Sequence, residues 1–119
     1  MSDYYDLAGQ PIDGDQWMAL KLARLRGGGE WSTPDDDPTR VGLTQHHGVV
    51  VSTTWIGIDH SWGQGPPVIF ETMVFGGDLD GEQDRYATIE EARAGHHAMV
   101  ARVWPGARRR GAAGGEHTP

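Results

Sequence analysis

Val49-Val50-Val51-Ser52-Thr53-Thr54-Trp55-Ile56-Gly57-Ile58 is the stretch whose reading decides the fold. All but Ser52 and Gly57 are β-branched or aromatic, the composition of a pleated and at least half-buried surface. It predicts the strongest strand of the chain. Pro67–Phe75 (PVIFETMVF) predicts a second, and the intervening Asp59–Pro66 (DHSWGQGP) a loop. Upstream, Arg40–Gln45 reads as a strand joined through a hairpin connection at His46-His47-Gly48. Downstream, Gly76-Gly77-Asp78-Leu79-Asp80-Gly81 is a turn leading to a short last strand over Glu82–Ala87.

Helical patterns flank this meander. Asp13 with Gln16 three residues later is a capping box, followed by a predicted helix from about Gly14 to Arg26 that Gly27-Gly28-Gly29 stops. Its apolar stripe is Met18, Leu22 and Leu25, with Trp17 and Leu20 beside it. Thr88 with Glu91 is a second capping box. The helix that follows should reach about Val103, burying Ile89, Ala92, His96, Met99, Val100 and Val103 on one face.

The order is therefore α-β-β-β-β-α: an α+β domain over residues 1–104, with an antiparallel three- to four-stranded meander able to bury one face under both helices. Residues 27–39 (GGGEWSTPDDDPT) are expected to be a flexible, solvated acidic loop. Residues 105–119 (PGARRRGAAGGEHTP) are expected to be a disordered Arg/Gly-rich tail. The opposite sheet face is also partly apolar, unlike a sheet open to water on that side. Candidate covers are the N-terminal arm, a second subunit, a partner protein, or the Gly-rich loops folding back.

The 119 residues carry 17 acids and 10 bases, a formal charge of −7, and no cysteine. Absence of cysteine excludes a disulfide scaffold, a thiolate zinc site and a cysteine nucleophile, and fits a reducing cytoplasm. No apolar run approaches a membrane span, and the first residues lack a secretory pattern. Residues 41–87 hold six acids and one base. Such a surface repels phosphate backbones, so nucleic acid is disfavoured except at Arg108-Arg109-Arg110.

Chemistry-bearing candidates are few. Asp59-His60-Ser61 has the residue types of a triad, but contiguous residues cannot converge as one. A weaker acid–base site would pair Asp59 or His60 with Glu71 or Ser61 at the loop mouth, with His96 a further catalytic candidate. Glu71 interrupts an apolar strand and needs a partner, either His96 or Arg85. No metal or cofactor site is expected. His46 and His47 are separated from His60 by a strand's length, roughly 30 Å at about 3.3 Å per residue, and His96 and His97 diverge on their helix. The Asp-x-Asp-Gly in Gly76–Gly81 lacks the first and twelfth ligands of a calcium loop. Trp31, Trp62 and Trp104 are candidate protein-binding anchors, since aromatics dominate interface hot spots.

The segments YYDLAGQPI (4–12), VSTTWIGIDHSWGQGPPVIFETMVFGG (51–77) and YATIEEARAGH (86–96) together resemble a group of small uncharacterised proteins encoded by bacteriophages and prophages, especially of actinobacteria. The resemblance covers residues 4–25 and 41–100 and brings no catalytic residue or cofactor with it. It implies an accessory protein acting in the bacterial host cytoplasm. The expectation is a non-enzymatic protein that binds a host or phage protein, or pairs with itself. Alternatives are a small enzyme or ligand-binding domain near Asp59, His60 and Glu71, and a virion or assembly component.

Overall fold

A computed structural model describes residues 3–59 and 65–106. Two short strands, β1 (Tyr4–Tyr5) and β2 (Pro11–Ile12), pair antiparallel. The turn between them is held by the Asp6 carboxylate, which accepts from the Ala8 and Gln10 amides at 2.9 Å each. α1 follows over Gly14–Arg26, opened by the Asp13/Gln16 capping box. A single 3-10 turn at Gly29–Trp31 begins the loop that leads to the main sheet.

That sheet is a four-stranded antiparallel meander: β3 (Arg40–His46), β4 (Val49–Trp55), β5 (Phe70–Phe75) and β6 (Gln83–Tyr86), in that spatial order. β3 and β4 are joined by the two residues His47 and Gly48, at φ 52° and 77°. Positive φ at both positions is the turn whose twist matches that of a hairpin, and glycine fills the second at no steric cost. α2 (Ile89–Val103) opens with the Thr88/Glu91 capping box and packs across all four strands. The α+β class, the meander and both helices match the sequence reading. β4 and β5 are shorter than predicted, β4 ending at Trp55 and β5 beginning at Phe70, while β3 runs one residue further, to His46.

Register defines two faces. Opposed pairs Val51–Val74, Thr53–Thr72 and Trp55–Phe70 point toward α2, whose Ala92, His96 and Met99 are buried at i, i+4 and i+7 spacing. Two apolar clusters result. One is Trp55, Ile69, Phe70 and Ala92; the other is Val51, Val74 and Met99.

α1 departs from expectation. Rather than joining α2 on that face, it sits at the Trp55 end of the sheet and buries no residue fully. The predicted stripe of Met18, Leu22 and Leu25 points to solvent, Leu25 with 71% exposed. Trp17, Leu20, Lys21 and Arg24 face inward instead. The rotation is set by polar anchors: Trp17 Nε1 donates to the Ile56 carbonyl at 3.1 Å, and Arg24 Nε lies 3.2 Å from the Asp37 carboxylate. Among the described residues no helix is long and apolar enough to cross a membrane.

Candidate functional site

Beneath α2 lies a chain of polar groups in an otherwise apolar layer. His96 Nδ1 is 2.7 Å from the Thr53 hydroxyl and Nε2 is 2.9 Å from that of Thr44, while Thr53 and Thr72 hydroxyls meet at 2.5 Å. The ring lies against Gly42, where a Cβ would stand 2.9 Å from it. Burial lowers the His96 pKa to about 4, helped by the nearby charges of His97 and Arg40. The imidazole is thus neutral, with one ring nitrogen donating and the other accepting. Tyr86 continues the row. Its buried hydroxyl lies beside Thr72, and burial pushes the phenol pKa up.

The other face of the sheet is partly covered, and the cover is the loop between α1 and β3. Of its three consecutive aspartates, Asp35 and Asp36 are exposed, as expected of a solvated run, but Asp37 has 0% exposure. This corrects the expectation of a solvated acidic run at Asp37. One Asp37 oxygen accepts from the Thr39 amide at 2.8 Å and its hydroxyl at 2.7 Å; the other accepts from the Ser32 hydroxyl at 2.6 Å and faces Arg24. Burial raises the pKa of this carboxyl, but the hydrogen bonds from Ser32 and Thr39 and the charge of Arg24 outweigh it and hold the group below the usual carboxylate range.

Arg40, at the start of β3, is 3% exposed. Its guanidinium donates to the Ser32 and Glu30 carbonyls at 2.8 and 2.5 Å and to the Ser52 hydroxyl. All of these acceptors are neutral. Burial, then the like charge of Arg24, lowers the Arg40 pKa to about 10 against the pull of Asp37. Arg24 also donates to the hydroxyls of Thr39 and Thr54.

These groups border a cavity of about 160 Å³ on the outer face of the sheet. Arg24, Arg40, Ser52 and Thr54 form its polar side. Trp31, Met73 and Phe75 form its apolar side, with the Trp31 and Phe75 rings meeting edge to face at 5.2 Å. Glu30 and Glu71 complete the lining.

The sequence candidates are dispersed. Glu71 lies on the outer face and pairs with Arg85 at 3.2 Å, one of its two expected partners. His96, the other, lies on the inner face. Asp59 accepts from the Val68 amide at 2.9 Å, bracing the loop after β4. His60, Ser61 and Trp62 lie outside the described residues, as do Arg108, Arg109 and Arg110. Trp31 is exposed at the outer face. Trp104 is half-buried against the Val51 cluster, its ring 5.9 Å from that of His46. Among the described residues no three metal-ligating side chains gather.

Sequence reasoning missed Arg24, Asp37 and Arg40. A local signal existed in Asp37-Pro38-Thr39, since an aspartate that binds the amide two residues on folds its own turn. Nothing local indicated that this turn would dock on the sheet. Comparison with known protein families, with curated proteins and with solved structures finds no match.

Proposed function

We propose that the chain is a phage-type accessory protein that works by binding another protein, not by catalysis. The observation that carries this reading is the display of Trp31 and Phe75. Both rings are more than a third exposed on the outer sheet face, yet each is held: Phe75 by β5, Trp31 by the loop that the buried Asp37 anchors. Rigid exposed aromatics lose little entropy on binding and dominate interface energetics. The groups that could do acid–base work are otherwise engaged, Glu71 with Arg85 and His96 with two threonines. The phage context rests on the sequence resemblance.

The test is affinity capture from an actinobacterial host lysate with wild type and Trp31→Ala, followed by titration of the purified captured protein. A single protein that binds wild type and binds the variant at least tenfold more weakly, with unchanged circular dichroism, supports the reading. No captured protein, or equal binding by both, overturns it.

A further inference from the structure

The outer-face cavity has a charge balance that suits a particular ligand. Two guanidiniums border it, and the buried carboxylate Asp37 pairs directly with Arg24. Glu71 is already paired with Arg85. Asp37 lies against Arg24, leaving Arg40 with neutral acceptors only. A buried cation whose direct acceptors are all neutral, with Asp37 acting on it only at a distance, favours an anion beside it.

Donors are available to meet one. Arg24 uses Nε and Nη2, and its Nη1 makes no hydrogen bond among the described residues. Arg40 places one Nη1 hydrogen on Ser52 and has a second without an acceptor there. Guanidinium N–H pairs match the two oxygens of a carboxylate. Beside them, Trp31, Met73 and Phe75 offer an apolar wall. The volume, about 160 Å³, compares with the ~150 Å³ cavity that accepts benzene. Glu30 and Glu71 on the lining oppose a doubly charged phosphate more than a single carboxylate.

We propose that this cavity is a carboxylate site, taking a carboxylate on a short apolar stem with its charge against Arg24 and Arg40 and its stem against Trp31 and Phe75. The same chemistry is offered by a small aromatic or branched acid and by the C-terminus of a polypeptide. The site does not depend on the protein-binding reading, since a free acid would serve.

Two-dimensional amide NMR of the full chain, titrated with benzoate, benzamide and inorganic phosphate, tests this. A second arm uses a short peptide ending in phenylalanine, as the free acid and as the C-terminal amide. Benzoate should bind with a dissociation constant of about 1 mM or tighter, shifting the amides of Trp31, Ser52 and Phe75. Benzamide and phosphate should bind at least tenfold more weakly. Preference for the free-acid peptide over its amide identifies a chain terminus as a fitting source; benzoate binding without it identifies a small acid. Arg24→Lys, which keeps the charge opposite Asp37 but loses the planar fork, should weaken benzoate at least fivefold, as should Trp31→Ala. Failure of both benzoate and the free-acid peptide to bind, equal binding of benzoate and benzamide, or shifts confined to other surfaces would overturn the proposal. If a captured protein partner binds while both free acids fail, the protein-binding reading survives and this one does not.

Discussion

His96 shows how one side chain couples the interior to pH. In the unfolded chain its imidazole titrates near 6.5, and in the folded protein near 4. Between these values the unfolded state holds the extra proton, so acid favours unfolding. The stabilisation from keeping this ring neutral is complete above about pH 6.5 and is lost as pH falls toward 4, at up to about 1.4 kcal/mol per pH unit. Urea midpoints measured from pH 7.5 to 4.5 should therefore fall. His96→Gln should flatten that dependence while costing about 1–3 kcal/mol at pH 7.5, because Thr44 and Thr53 lose well-placed partners. An unchanged slope in the variant would show that other groups carry it. Gly42→Ala tests the same contact sterically: a methyl 2.9 Å from the ring forces the imidazole or β3 to move, with an expected cost of about 1–3 kcal/mol by urea denaturation.

At the level of elements, the loop from Gly27 to Thr39 contributes more than its composition suggests. Asp37→Asn keeps the shape but removes the carboxylate that pairs with Arg24 and that offsets the mutual repulsion of Arg24 and Arg40. The expected loss is about 3–5 kcal/mol, readable as a lower urea midpoint and faster proteolysis within the loop. α1 offers the converse case. Leu25→Glu on its exposed side should change stability by no more than about 0.5 kcal/mol, whereas Trp17→Ala should cost several-fold more. The helix limits and the first hairpin were legible because capping boxes and hairpin turns are local: Asp13 with Gln16, Thr88 with Glu91, and His47-Gly48 each act within a few residues. The facing of α1 was not. Met18, Leu22 and Leu25 make the better apolar stripe by spacing, but Arg24 is pulled inward by an aspartate thirteen positions on, a contact periodicity does not encode. For the same reason Glu71 announced itself as a strand carboxylate in need of a partner, while the cavity beside it stayed invisible.

Across the whole molecule, burial is uneven. α2 spans all four strands and seals both apolar clusters, whereas α1 contacts chiefly the N-terminal hairpin and the 3-10 turn. Local opening tracks buried apolar contact. Amide hydrogen exchange should find β4, β5 and the middle of α2 slowest, with α1 exchanging earlier in a separate step. Equal protection of α1 and α2 would show that the polar anchors hold the first helix as firmly as apolar packing holds the second.

Trp31 and Trp55 also give the molecule an optical signature. One indole leans on Phe75 at the water's edge, and the other is fully enclosed between β1, α1 and the sheet end. Red-edge emission lost in Trp31→Phe isolates the outer reporter, and an enclosed indole such as Trp55 should resist iodide quenching. Spectra taken along a denaturant ramp can then say whether the outer loop lifts away before the interior floods.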